Sequence, residues 1–282
     1  MTLEQMFESF IREKQYLDNR SPRTVKHYRA AFKTYRRFVA GEEVTQDSIN
    51  SFVVEARRAG MSAGCLNSYI RGFNSFLDWL HEQELTPTHL RCRRLKQEQK
   101  VGRAFTEDEL RRLLDYKPQS FGERRAHALT LALIDTGARV DEFLSLTREN
   151  VNFESLTIKV KGKGSKERIV PMSIELRRVL VRYLKTHDHA LVFPARNGAK
   201  FDYQNSYRDF TNLQKRLGIM PIGFHALRRT FAKSYLRHGG NLLYLKAVLG
   251  HVRLETTEKY VEVEGVALQE THARTSPLAR LK

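Results

Sequence analysis

The sequence predicts a mainly α protein with a small antiparallel β-sheet (α+β): an N-terminal helical bundle followed by a mixed α/β domain. Three observations predict it. Apolar residues recur at helical spacing through roughly the first 95 residues, and the period breaks between Arg91 and Arg103. Beyond the break, two short segments rich in β-branched residues flank a glycine-bearing turn. The expected division is a helical domain over 1–95, a basic linker over 96–103, and a second domain over 104–282 with a separate C-terminal tail from about 261.

In chain order, Ser21-Pro22 reads as an N-cap followed by proline at the first helical position. The helix behind it places Val25, Tyr28, Phe32, Tyr35 and Val39 on one face, with Lys26, Arg29, Lys33, Arg36 and Arg37 on a second stripe. From Arg20 to Ala40 there are seven basic residues and no acidic one. Together with the charge of the whole chain, that imbalance turns a merely solvated face into a phosphate-contacting one, with Arg20 and Arg23 at its start. A second amphipathic helix carries Leu66, Tyr69, Ile70, Phe73, Phe76, Leu77 and Leu80 into the bundle core.

The Arg91–Arg103 stretch holds six basic residues, one acid and Gly102, and reads as an exposed basic linker. Arg91, Arg93, Arg94, Lys96 and Lys100 are its candidate DNA contacts. Thr106 then caps a helix whose first turn is acidic. Leu156–Val160 and Glu167–Val170 are β-type segments joined through Gly162-Lys163-Gly164-Ser165, a hairpin signal. Leu191–Phe193 is expected as a further short strand. Phe224–Arg237 and Leu242–Leu249 are expected helices separated by Gly239-Gly240, with a short helix near Tyr260.

Composition narrows the function. The 282 residues hold 49 Lys and Arg against 32 Asp and Glu, a net charge of +17, which points to a polyanionic partner. At 41% hydrophobic residues, the chain can bury a sizeable core and is not disordered. Two cysteines make no disulfide framework, and no Cys/His spacing suits zinc. The N-terminus does not read as a signal peptide, and the longest apolar stretch, about Ala128 to Ile134, is too short to span a membrane. A protein of the cytoplasm, acting on nucleic acid, is expected.

The chemistry-bearing residues are individually weak. Arg139 follows a glycine break, with Glu142 three residues on where it could orient the guanidinium; a surface ion pair is the ordinary alternative. Lys163 lies on the hairpin turn, with Lys161 and Lys166 beside it as further DNA-contact candidates. His225 and Arg228 share a helical face, and His251 follows a helix-ending Leu249-Gly250, where a capping role is the alternative. His187-Asp188-His189 looks ligand-like but reads more simply as a solvated loop.

Taken together, the order Arg139, Lys163, His225-x-x-Arg228, Leu249-Gly250-His251, Tyr260 resembles the tyrosine recombinase (phage integrase) family, in its short Xer-like two-domain form. The resemblance covers nearly the whole chain. It implies a core-binding domain, a catalytic domain, and roles at the matching positions. Arg139 and Arg228 would hold the scissile phosphate, His225 and His251 would hydrogen-bond and move protons, Lys163 would be the general acid, and Tyr260 the nucleophile. Phe224 stands where the family often has proline, and Ala138 where leucine is usual. Lys161 and Lys166 remain alternative acids. The resemblance further implies no metal, nucleotide or other cofactor, and a partner of double-stranded DNA with a short inverted-repeat core site. It implies a homotetramer on two duplexes, passing through a Holliday junction, and leaves room for an accessory protein.

Charge arithmetic fits this chemistry. Ionising a tyrosine with a reference pKa near 10 costs roughly 4 kcal/mol at pH 7. One cation about 4 Å away, at an effective dielectric near 20, is worth about 4 kcal/mol. Two guanidiniums therefore offset the cost without a metal. The acidic segment 254–270 inverts the chain's charge and is expected to dock on a neighbouring protomer, or else on its own domain. Two other functions stay open on the sequence: DNA relaxation of the type IB topoisomerase kind, and a non-catalytic, sequence-specific DNA-binding regulator.

Overall fold

The computed structural model describes residues 1–97, 102–162 and 167–250, and the chain divides into two compact units, 1–100 and 101–282. In the first unit, α1 (Leu3–Arg12) runs through a π-helical turn (Glu13–Leu17) before α2 (Pro22–Phe38), α3 (Gln46–Arg58) and α4 (Ala63–Glu82). Ser21 caps α2 by accepting from the Thr24 amide at 3.3 Å, with Pro22 at the first position, where its missing N–H costs nothing. The α2 and α4 faces close over an aromatic core. Phe7 stacks on Phe32 at 4.0 Å, Phe76 stands edge-on to both, and Tyr35 stacks on Phe73 at 4.2 Å. Each such pair contributes roughly 0.5–1.5 kcal/mol beyond area burial.

Residues 91–95, expected within an exposed linker, are instead lashed to this bundle. Asn74 pairs with both backbone groups of Cys92, and Asn67 with both of Leu95, at 2.8–2.9 Å. Gln46 does the same for Arg91 at 3.2 and 3.4 Å. Leu90 and Cys92 are buried, while Arg91, Arg93, Arg94 and Lys96 stay exposed. The side chains are as solvated as expected; the backbone is fixed because three carboxamides mimic a strand partner.

The second unit begins with α5 (Glu107–Asp115), capped by Thr106 in a reciprocal box with Glu109. α6 (Phe121–Thr136) is buried on nearly all sides, which explains its continuous apolar stretch, and packs against the later helices α8 (Ile174–Leu184), α9 (Tyr203–Arg216) and α10 (His225–Arg237). Between α7 (Val140–Leu144) and α8 lies an antiparallel sheet in the order β1 (Val151–Asn152), β2 (Thr157–Lys161), β3 (Glu167–Pro171). Ile158 pairs with Val170 and Val160 with Arg168 on its inner face. α11 (Leu242–Leu249) is the last described helix, and it packs on β3 and α10. The helix expected near Tyr260 lies outside the described residues.

Leu191–Phe193 is not a strand. It forms one isolated antiparallel bridge, Thr147 with Leu191, with Val192 and Phe193 fully buried. The partner segment is bounded by the end of α7 and by a 3-10 turn at Arg148–Asn150, so no second pair is available. Phe224 precedes α10 rather than starting it and stacks on Phe210 at 4.7 Å, which explains an aromatic at this position. No helix among the described residues is long and apolar enough to cross a membrane.

Candidate active site

α6 ends at Gly137, whose left-handed φ of 63° lets the chain turn sharply into Ala138-Arg139. Arg139 is the N-cap of α7. Its backbone N–H donates to Glu142 Oε2 at 2.8 Å and its Nη1 to Oε1 at 3.1 Å. This is no surface ion pair: Glu142 is 4% exposed, while the Arg139 side chain remains 41% exposed and can reach a ligand. Burial pulls the Glu142 carboxyl upward, but hydrogen bonds from Arg168 and Arg139 outweigh it and hold the group below the usual range.

Arg228, one turn into α10, is only 5% exposed. Its Nη1 donates to Gly137 O at 2.7 Å and its Nη2 to Leu249 O at 2.6 Å. One guanidinium thus joins the turn before Arg139 to the C-terminus of α11. His225 opens α10 on the solvent side of the same region. Partial desolvation pushes its imidazole below the ordinary range, and the positive charges of Arg228, Arg229 and Arg139 push it further. Arg139, His225 and Arg228, 89 residues apart at the extremes, therefore converge. Cationic donors clustered beside a neutral imidazole suit an oxyanion whose charge grows during reaction.

Lys161 ends β2 and is exposed. Lys163 and Lys166, and likewise Lys100, His251 and Tyr260, lie outside the described residues. Helix α11 stops at Gly250, φ 64°, immediately before His251 in sequence.

Sequence reasoning missed Arg168. It reaches from β3 to Glu142 with both terminal nitrogens, at 2.7 and 2.9 Å, and donates from Nε to Val248 O at 2.8 Å. A signal existed: in Glu167-Arg168-Ile169-Val170 the arginine shares the inner face with Val170, while Ile169 is 67% exposed. That inverted polarity marks a strand arginine with a buried partner.

Two bases of the α2 stripe already have acidic partners within the protein. Arg29 is held by Glu8, with Nη2 to Oε2 at 2.9 Å, and Arg36 pairs with Glu4 at 2.7 Å and Glu42 at 3.0 Å. These acids come from α1 and the loop after α2, outside the acid-free stretch 20–40. Arg20 lies 3.7 Å from Asp18, and Arg37 covers the Phe38 ring. Lys26 and Lys33 are exposed and make no ion pair among the described residues; Arg23 is exposed as well.

The His187–His189 segment is a loop with Asp188 exposed, but its two histidines are partly buried. Arg148 gathers it by donating to the His187 and His189 carbonyls, and the His187 ring packs edge-on against Phe121 and Tyr183. Among the described residues no group of three or more His, Cys, Asp or Glu side chains is placed to hold a metal.

Residues 103–265 match the phage integrase family. The chain is 30% identical to tyrosine recombinase XerC of Bacillus pumilus (strain SAFR-032), across 96% of this chain and 95% of that one. It is 26% identical to tyrosine recombinase XerD of Oceanobacillus iheyensis, across 91% of each. Among solved structures, the Tn1549 transposon integrase in complex with a circular intermediate DNA superposes with a TM-score of 0.80 over 97% of this chain and 99% of that one, at 17% identity.

Proposed function

The chain belongs to the phage integrase family, and from that membership we propose that it is an Xer-like site-specific DNA recombinase that cuts and rejoins double-stranded DNA. The Tyr260 hydroxyl attacks the scissile phosphorus and passes its proton to a histidine, His225 or His251. The tyrosine oxygen forms a 3′-phosphotyrosyl ester as the bond to the 5′-oxygen breaks, and the departing oxygen takes a proton to become a free 5′-hydroxyl. One phosphodiester replaces another, so bond energy is conserved. The 5′-hydroxyl of the exchanged strand reverses the step.

Arg139 and Arg228 bind the non-bridging oxygens, where negative charge accumulates in the transition state. His225, held neutral above its lowered pKa, accepts a proton or donates a hydrogen bond as the phosphate demands; His251 is its counterpart beyond α11. Lys163 protonates the leaving 5′-oxygen, with Lys161 and Lys166, close by in sequence, as the alternative acids. The exposed bases of α2 and of 91–96 grip the backbone of a short inverted-repeat core site. Four protomers act on two duplexes through a Holliday junction, and the acidic tail from about 261 bridges them.

What supports this reading most is the convergence of Arg139, His225 and Arg228 around the Gly137 turn and the end of α11. A regulator has no need of a buried arginine fastened between those two carbonyls. The test is a nicked suicide duplex, which traps the covalent intermediate. Wild-type protein should give a denaturant-stable protein–DNA band, and Tyr260→Phe should bind the duplex with no band. A band that persists in Tyr260→Phe moves the nucleophile elsewhere. Its absence from the wild type removes the recombinase reading and favours the regulator.

A further inference from the structure

We infer that Arg168 is a positioning residue for strand cleavage, acting on Arg139 through Glu142 and tying β3 to the end of α11; the inference rests on the recombinase reading above. The geometry is reciprocal. Glu142 Oε1 accepts from Arg139 Nη1 at 3.1 Å and from Arg168 Nη1 at 2.7 Å. Oε2 accepts from the Arg139 backbone N–H at 2.8 Å and from Arg168 Nη2 at 2.9 Å. Each carboxylate oxygen therefore serves one donor from each arginine, and the α7 cap and the β3 strand share one buried acid.

Charge makes this matter for catalysis. Arg139, Glu142 and Arg168 together carry one net positive charge; Arg139 and Glu142 alone carry none. Without Arg168, the buried carboxylate has only Arg139 to compensate it and competes with the phosphate for that guanidinium. With Arg168 in place, Glu142 is satisfied from the protein side, and the exposed part of Arg139 is left for the ligand.

Arg168 also fastens the other wall. Its Nε holds Val248 O while Arg228 holds Leu249 O, so two successive carbonyls at the end of α11 are claimed by two arginines. A Cβ on Gly250 would lie 3.1 Å from Arg168 Cδ and Nε, so the left-handed turn that leads to His251 packs directly on this side chain. A lysine has the charge, but its three donors sit on one nitrogen and cannot span Glu142 and the Val248 carbonyl as the guanidinium fork does.

The experiment measures single-turnover cleavage of the nicked suicide duplex at saturating DNA, with half-site Kd and melting temperature in parallel. Tyr260→Phe serves as the blank. Arg168→Lys should cleave roughly 10–100-fold more slowly, because a small displacement of a catalytic group costs that much. Its Kd should stay within about twofold of wild type, a loss confined to the chemical step. If Arg168 acts through Arg139, then Arg139→Lys/Arg168→Lys should cleave no more slowly than Arg139→Lys alone. A wild-type cleavage rate in Arg168→Lys, or losses that multiply in the double variant, overturns the inference. Should Arg168→Lys fail to fold, Glu142→Gln decides in the same assay: slow cleavage with binding retained supports the inference, and a wild-type rate overturns it. If the wild-type protein forms no covalent band, the recombinase reading fails and takes the inference with it.

Discussion

Gly137 and Phe231 approach so closely that a Cβ on Gly137 would lie 2.3 Å from Phe231 Cδ1. The same Cβ would meet Leu249 Cδ2 at 2.9 Å, and the backbone at Gly137 has a φ of 63°. Gly137→Ala therefore combines left-handed strain of about 1 kcal/mol with overpacking of about 1–3 kcal/mol. Denaturant unfolding should show a loss of roughly 2–4 kcal/mol. Cleavage should fall as well, because the Gly137 carbonyl holds Arg228. Wild-type stability in Gly137→Ala would mean that Phe231 and the turn yield freely.

The bases of α2 should divide into two classes on DNA. Lys26 and Lys33 are exposed and unpaired among the described residues, whereas Arg29 and Arg36 already hold Glu8, Glu4 and Glu42. Each of Lys26→Ala and Lys33→Ala should weaken half-site binding and reduce the slope of log K against log salt by about 0.9, the value for one phosphate contact. Arg29→Ala and Arg36→Ala should change the slope less, because those guanidiniums are neutralised within the protein. Titration by fluorescence anisotropy at several salt concentrations reads both; equal slope changes in all four variants would count against the division.

Acid should destabilise the protein in two stages. His127, His187 and His225 all have folded pKa values below the ordinary 6.5, with desolvation as the largest cause for each. The unfolded chain then binds more protons, so their contribution is complete above pH 6.5 and is lost as pH falls through the lowered values. Glu123, whose carboxyl is drawn down to about 2 by the Gln119 amide and then Arg216, and Glu142 act next. Their contribution is present above the ordinary 4.5 and is lost as pH falls toward those folded values. Urea midpoints should be flat from about pH 8 to 7, fall below about 6.5, and fall again below about 4.5. His225→Gln should shrink the first fall and leave the second; an unchanged first fall would separate His225 from it.

Much of this protein is written locally. Ser21-Pro22 and Thr106 announce helix starts, Gly137 a helix end, and the Leu156–Val170 pattern a hairpin, because capping, periodicity and turn chemistry act between residues a few positions apart. The ordered series from Arg139 to Tyr260 could be singled out for a related reason: the proposed phosphoryl transfer needs particular residue types, and these stand in the chain whatever its folding.

Only the tertiary structure decided which charges remain available. Arg29 and Arg36 are matched by Glu8 and Glu4, 21 and 32 residues away in sequence, and Glu142 meets Arg168 across 26 residues. Asn67 and Asn74 lash down a stretch that composition alone marks as a free linker. Such pairs depend on which helix faces pack together and how far each side chain reaches. An ion pair's worth is also set by its burial, which is a property of the packed molecule and not of any neighbourhood in the chain. The sequence by itself marked most of the elements and the candidate reacting groups; packing determined which of the described side chains are held, neutralised or left exposed.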